Sequence, residues 1–142
     1  MKFKVVTIFG TRPEIIRLSS IIKKLKIFFN HRLINTGQNF DKNLNRVFFK
    51  ELEINKPDYN LNCRGKTPTQ FLSQLFSKIE KVLDYEKPDA VIILGDTNSA
   101  LSAICAKRKK IPIFHIEAGN RCFDERVPEE INRKIVDHIA DI

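Results

Sequence analysis

The 142-residue sequence contains no apolar run that approaches the roughly 20 residues needed to cross a bilayer, and stretches such as Ala90–Leu94 end far sooner. No membrane-spanning helix is expected. The N-terminal Met1-Lys2-Phe3-Lys4-Val5-Val6 reaches Gly10-Thr11-Arg12-Pro13 without the apolar stretch and small-residue cleavage site of a signal peptide, so a cytoplasmic location is expected. Cysteine is scarce and odd in number. Cys63, Cys105 and Cys122 include no Cys-x-x-Cys pair, which argues against a disulfide framework and a structural zinc site and leaves reduced thiols as the expectation. Neither G-x-G-x-x-G nor a P-loop occurs, so the dinucleotide and ATPase fingerprints find no support. His115-Ile116-Glu117 has the H-x-E form of a zinc deaminase but lacks the downstream Pro-Cys-x-x-Cys, and no metal site is expected. His31 and His138 have no partner at ligand spacing and are expected on the surface or on a helix face. Repeats, low-complexity tracts and internal linkers are missing too.

What is present suits one folded domain. A hydrophobic content of 42% beside 30% charged residues is enough for a sizeable core, and the length fits one domain rather than two. The net charge of +8 suits an anionic partner. Nucleic acid is not expected, because the basic residues are dispersed and Lys107-Arg108-Lys109-Lys110 closes a helix, where cations complement the dipole.

Short β-branched runs alternate with helical patterns, the signature of a parallel sheet with crossover helices. Lys4–Phe9, Arg32–Asn35, Ala90–Leu94 and Ile111–Ile116 read as strands, with a weaker one at Tyr59–Leu61. Ile15, Leu18, Ile22 and Leu25 recur at helical spacing, as do Leu44, Val47 and Phe48, then Leu72, Leu75, Phe76, Ile79 and Leu83. Thr11-Arg12-Pro13-Glu14 and Thr67-Pro68-Thr69-Gln70 carry helix-start signals, a further helix is expected from about Asn98 to Lys109, and Pro128 opens a last one through Ala140. Phe28-Phe29 and Phe48-Phe49 are expected to pack between helix and sheet.

Every glycine except Gly65 follows a predicted strand, and in open parallel sheets ligands bind outside the carboxyl ends of the strands. The loops after Gly10, Gly37, Gly95 and His115-Ile116-Glu117-Ala118-Gly119 are therefore expected to converge on one rim. The Gly10-Thr11 turn with Arg12 could offer N–H groups and a guanidinium to a phosphate or diphosphate; it could equally be a tight turn with an exposed arginine. Asp96 and Glu117 follow the most apolar strands, and Glu129, Glu130 and Arg133 come soon after. Singly, each carboxylate has a structural use: Asp96 as a cap, Glu117 as a partner of Arg121, Glu129 and Glu130 at a helix N-terminus. Together at one rim they suit acid/base chemistry.

The motifs Gly10-Thr11-Arg12-Pro13-Glu14, Gly95-Asp96-Thr97, His115-Ile116-Glu117-Ala118-Gly119 and Pro128-Glu129-Glu130-Ile131-Asn132-Arg133 resemble those of the non-hydrolysing UDP-N-acetylglucosamine 2-epimerases, in order and spacing and over essentially the whole chain. Arg121-Cys122-Phe123-Asp124-Glu125-Arg126 is most similar to the branch found with capsule and O-antigen sugars. The resemblance implies an α/β fold, a Rossmann-like doubly wound parallel sheet forming the N-terminal half of a GT-B architecture, with residues 1–142 as that domain and the C-terminal nucleotide-binding domain absent. It implies catalytic roles for Asp96, Glu117 and Glu129, and substrate binding by Arg12, Arg17, Gln38 and Arg133. Arg17 stands where many members have lysine, and Asn39 where many have histidine.

The reaction so implied eliminates UDP to a 2-acetamidoglucal and returns it with opposite C2 stereochemistry, with no cofactor. The implied partners are a UDP-N-acetylhexosamine substrate, a separate chain carrying the C-terminal domain, and a second copy in a homodimer. The isolated half is expected to be inactive. A GT-B glycosyltransferase fragment attacking C1 is disfavoured by the carboxylate set, and a truncated, non-catalytic remnant stays open.

Overall fold

The computed structural model describes residues 2–38, 47 and 49–142. Five parallel strands, β1 (Lys4–Phe9), β2 (Asn30–Asn35), β3 (Tyr59–Asn60), β4 (Ala90–Leu94) and β5 (Ile113–Ile116), form one sheet in the order β3-β2-β1-β4-β5. Between them run α1 (Arg12–Phe28), α2 (Pro68–Glu86) and a 3₁₀ turn (Asn98–Ser102) continuing into α3 (Ala103–Arg108), and α4 (Pro128–Ile139) follows β5. The chain order reverses between β1 and β4. This is the switch point at which the loops of a doubly wound sheet diverge and leave a crevice.

Side chains of each strand alternate between two apolar layers. Val6, Ile8, Val91, Ile93 and Ile113 pack beneath α2, α3 and α4, with Leu75, Ile79 and Leu83 facing them. Phe9, Leu33 and Leu94 pack against Ile15, Leu18 and Ile22 of α1. Residues 49–51 are helical, and Phe49 meets the edge of Phe9 at 6.1 Å. Burying both faces explains why these strands read as nearly continuous apolar runs. Among the described residues no helix is long and apolar enough to cross a membrane.

The helix after β4 begins as a 3₁₀ turn rather than as the uniform helix expected from Asn98. Ala100 N–H reaches back to Thr97 O, and the Ser102 hydroxyl donates to Ser99 O, tightening the first turn. With Ala100, Ala103 and Ala106 buried, small side chains let this segment lie close to the sheet. Other expectations need correction. Phe28 is exposed at the last position of α1, while Phe29 contacts Phe3. His31 is not a surface residue. β2 starts two residues earlier than expected, which puts His31 inside the strand, buried, with Nε2 2.8 Å from the Thr7 hydroxyl. His138 is exposed, as expected. Leu44, Phe48 and Asn39 lie outside the described residues.

At the amino edge of the sheet the buried Glu86 carboxylate binds Lys4 of β1 at 2.8 Å, Arg32 of β2 at 3.2 Å and the Tyr59 hydroxyl of β3. Burial opposes its charge, but Lys4, Tyr59 and Arg32 outweigh that and hold the carboxyl below its ordinary range; the same contact pushes Tyr59 up to about 12.

Burial, then the charge of nearby Lys26, lowers His31 to about 4. The unfolded chain therefore takes up this proton before the folded one, and stability present above about pH 6.5 is lost as the pH falls toward 4. Against the ordinary 6.5, a folded value of about 4 corresponds to roughly 3 kcal/mol. His31→Gln, which keeps a partner for Thr7, should flatten the loss of urea stability between pH 6.5 and 4.5. A variant that loses stability as steeply as the parent would remove His31 from this account.

Candidate functional site

The loop after β1 is built around one buried carboxylate. Glu14 Oε2 accepts from Gly10 N–H at 2.9 Å, Thr11 N–H at 2.7 Å and the Thr11 hydroxyl at 2.7 Å, while Oε1 accepts from the Thr97 hydroxyl at 2.9 Å. The side chain closes the capping box at the start of α1 and also ties the β1 loop to the β4 loop. Gly10 has no alternative here: a Cβ would stand 2.0 Å from Ser99 Oγ and 2.4 Å from Thr36 Oγ1. These contacts favour the tight-turn alternative for this segment. The Gly10 and Thr11 N–H groups are taken by the chain's own glutamate.

The acidic residues after β4 and β5 are each met by an arginine from a different helix. Asp96 Oδ2 accepts from Arg133 Nε at 2.7 Å and Nη2 at 2.6 Å, and its backbone carbonyl accepts from Asn132 Nδ2 at 2.9 Å. Asp96 is thus not the cap of the next helix, a place taken by Thr97. Glu117 accepts from Arg17 Nη1 at 2.7 and 2.8 Å, and Arg121 pairs instead with Asp137 at 2.6 Å. Glu117 has φ +67, a left-handed backbone that a non-glycine residue adopts at a cost of about 1–2 kcal/mol. The adjacent Glu129 and Glu130 separate by direction. Glu129 is exposed, whereas Glu130 is fully buried and receives Cys122 N–H at 2.9 Å, Phe123 N–H at 3.3 Å and Arg133 Nη1 at 3.2 Å. Those bonds, the Cys122 N–H foremost, lower Glu130 to about 2.

Asp96, Glu117, Glu129, Arg17, Gln38 and Arg133 all line one cleft of about 650 Å³ at the carboxyl edge, over the β1/β4 switch point. Gln38 is fixed by a closed ring of hydrogen bonds. Its N–H donates to Thr36 Oγ1, that hydroxyl donates to Ser99 Oγ at 2.7 Å, and Ser99 Oγ donates back to Gln38 Oε1 at 2.7 Å. Arg12 does not join them. It is half-buried at the first position of α1 and absent from the cleft lining. Successive helical residues turn by about 100°, which puts Glu14 and Arg17 on one face of α1. Of the three residues expected to converge, Asp96 and Glu117 line this cleft.

Sequence reading also passed over Thr97 and Asn120, which line the cleft, and Glu14 as more than a cap. It missed Asp137 beneath the β5 loop as well. The spacing of Glu130, Arg133 and Asp137 on α4, a polar stripe along one helix face, was the available signal. Among the described residues no group of three or more His, Cys, Asp or Glu is arranged to hold a metal ion.

A sequence profile described as UDP-N-acetylglucosamine 2-epimerase matches residues 23–142. The solved structure of a UDP-N-acetylglucosamine 2-epimerase from Rickettsia bellii superposes with a TM-score of 0.92 at 55% identity, covering 100% of this chain and 38% of that one. A Methanocaldococcus jannaschii UDP-GlcNAc 2-epimerase solved with UDP-GlcNAc and UDP gives 0.92 at 45% identity, covering 97% and 39%. A UDP-2,3-diacetamido-2,3-dideoxy-D-glucuronate 2-epimerase of Pseudomonas aeruginosa is 43% identical over 98% of this chain and 40% of its own length. The chain therefore spans about two fifths of the relatives it matches, and its sheet is that of their N-terminal halves.

Burial raises the Glu14 carboxyl above its ordinary range, so the folded state loses stability as the pH rises through that range. A neutral amide avoids that loss and still accepts from Gly10 and Thr11. Glu14→Gln should keep the melting temperature at pH 7 within a few degrees of the parent. Glu14→Ala strands the donors at about 1–3 kcal/mol for each buried group and should lower it by roughly 5–10 °C in a thermal melt.

Proposed function

The chain belongs to the UDP-N-acetylglucosamine 2-epimerase family, and from that premise we propose that it forms the sugar-facing half of an enzyme that inverts C2 of a UDP-2-acetamido-hexose. The observation that carries this reading is the cleft itself. Three carboxylates from three loops or helices, Asp96, Glu117 and Glu129, share one wall system with two arginines, Arg17 and Arg133.

The C2 proton of such a sugar has no neighbouring carbonyl to acidify it. Elimination solves this: a carboxylate takes the C2 proton, the C2–H electron pair becomes the C1=C2 bond, and the C1–O bond breaks with its electrons on departing UDP. In the return step a carboxyl on the opposite face gives a proton to C2 while the diphosphate oxygen re-forms its bond to C1. Electrons balance without any oxidant or reductant, so no redox cofactor enters. Two proton-transfer groups on opposite faces are the minimum, and the cleft offers three carboxylates.

The arginines supply the remaining requirement, positive charge at the leaving diphosphate. Each is held by a carboxylate, Arg17 by Glu117 and Arg133 by Asp96. A diphosphate entering the cleft competes for the same guanidinium groups. Its binding releases Glu117 and Asp96 from their ion pairs as it delivers the sugar, which couples substrate binding to freeing the base. Gln38, with its carbonyl already engaged by Ser99, has its amide N–H groups left to offer the substrate.

Relatives bearing UDP-GlcNAc and diacetamido-glucuronate names share the 2-acetamido group, which sets the substrate class proposed for this chain. Since the chain spans about two fifths of their length, the opposite wall of the site comes from a C-terminal domain, and the 142 residues are expected to fold without turning over. Proton NMR in deuterated water tests both statements. The purified chain with UDP-GlcNAc should show a cooperative melt but no deuterium at C2. The chain fused to the C-terminal part of a full-length relative should incorporate it, and Glu117→Gln in that fusion should slow incorporation by about 10²–10⁴. Unchanged incorporation would take Glu117 out of the acid/base set, and a fusion that binds UDP-GlcNAc but never exchanges C2 would sink the epimerase reading.

A further inference from the structure

The left-handed backbone of Glu117 persists only while its surroundings fix it, because a non-glycine residue otherwise relaxes toward the extended region. The group that fixes it lies outside the cleft. Asp137 of α4 accepts Gly119 N–H at 2.9 Å and Arg121 Nη1 at 2.6 Å on the same oxygen, Oδ2. Its other oxygen stands 2.7 Å from His115 Nδ1. That approach is misaligned for a directional hydrogen bond and neither atom has another hydrogen-bond partner among the described residues, so ring and carboxylate are held in close contact. The opposite ring nitrogen, Nε2, donates to Gly95 O at 2.7 Å, and Gly95 N–H returns to Ile116 O at 3.0 Å. The His115 side chain is 1% exposed and that of Asp137 14%.

These contacts form a bracket. One carboxylate on α4 grips the loop after Glu117 and, through the His115 ring, the carbonyl immediately before Asp96. The two loops it joins carry two of the proposed acid/base groups, while neither His115 nor Asp137 lines the cleft. We infer that Asp137, acting through Gly119 and His115, is a positioning residue that sets Glu117 against Asp96 across the cleft. The inference rests on the epimerase reading for its kinetic consequence, and on the bracket alone for its structural one. Without the bracket, the loop from Glu117 to Gly119 is free to leave the left-handed geometry and shift its carboxylate by an ångström or more. Misplacement on that scale costs on the order of 10²-fold in rate.

The test uses two readouts that fail separately. In the 142-residue chain, amide hydrogen exchange by ¹⁵N NMR should show Gly119 exchanging at least about tenfold faster in Asp137→Asn than in the parent, with Leu75 and Ile93 amides protected in both. In the fusion to a relative's C-terminal part, Asp137→Asn should lower kcat for C2 exchange by roughly 10–100-fold with KM changed less than about threefold. Asp137→Glu, which keeps the carboxylate, should recover part of kcat, and Asp84→Asn, a carboxylate paired with Lys109 far from the bracket, should leave both readouts at parent values. Unaltered Gly119 exchange in Asp137→Asn would overturn the bracket. Faster Gly119 exchange with unchanged kcat would overturn the positioning role. A parent fusion without turnover would count against the epimerase reading, and Gly119 exchange would still decide the bracket. If Asp137→Asn fails to fold, Arg121→Lys, which loosens the same carboxylate from one side, takes its place in both measurements.

Discussion

The arrangement of the cleft depends on where the Glu14 carboxylate is buried. A carboxylate out of water must have its lone pairs met, and the nearest donors are the N–H groups of Gly10 and Thr11 and the hydroxyls of Thr11 and Thr97. Meeting them draws the β1 and β4 loops together at the switch point, and only a glycine at position 10 permits the resulting approach of Thr36 and Ser99. It has a second effect. The Gly10 and Thr11 N–H groups at the helix N-terminus are already taken by an internal carboxyl, unlike the free N–H groups that meet phosphates in P-loop and dinucleotide folds. In the proposed reading, recognition of negative charge falls to side chains on the opposite walls, Arg17 from α1 and Arg133 from α4, both of which line the cleft.

That shift determines the electrostatic character of the site. Half-exposed arginine–carboxylate pairs such as Arg17 with Glu117 contribute little to stability, since solvent screens them and ordering two side chains costs entropy. Their worth lies in being exchangeable. A diphosphate carries more negative charge than one carboxylate and can take a guanidinium from it, whereas a fully buried pair would resist. Glu130 illustrates the contrast. Sealed from solvent and bound to Cys122, Phe123 and Arg133, it holds the loop before α4 in place, while its neighbour Glu129 faces the cleft.

Much of this was legible in sequence, for physical reasons that differ by element. β1 and β4 match their expected limits because both are β-branched, mostly apolar runs followed by glycine, and burial on both faces leaves no competing period. The carboxylates of the cleft were found because position after a parallel strand is itself positional information. What sequence could not supply was direction around an axis and contact across distance. Arg12 sits in the same short motif as Glu14, yet Glu14 and not Arg12 is among the residues that line the cleft. His31 was lost by starting β2 at Arg32, although the alternation of His31, Leu33 and Asn35 along one face places it beside Thr7. The Asp137 bracket joins α4 to two loops, and no local pattern records which loops a helix face will meet.

The two edges of the sheet use the same residue types to opposite ends. At the amino edge, Glu86 gathers Lys4, Arg32 and Tyr59 around a carboxylate that is almost fully buried, and every charge there has its partner within the fold. Such a cluster fastens three strands and, being complete, has nothing to offer a ligand. At the carboxyl edge the pairs are incomplete. Asp96 and Glu117 keep a quarter to a third of their side chains in solvent, each held by one arginine that a stronger anion can claim. Beneath them, Glu14 meets four donors from the β1 and β4 loops, and Asp137 holds Gly119 and Arg121 through one oxygen. The chemistry proposed at the rim would require both conditions at once: surface charges loosely paired enough to be exchanged, and buried groups paired tightly enough that the exchange leaves the backbone where it was.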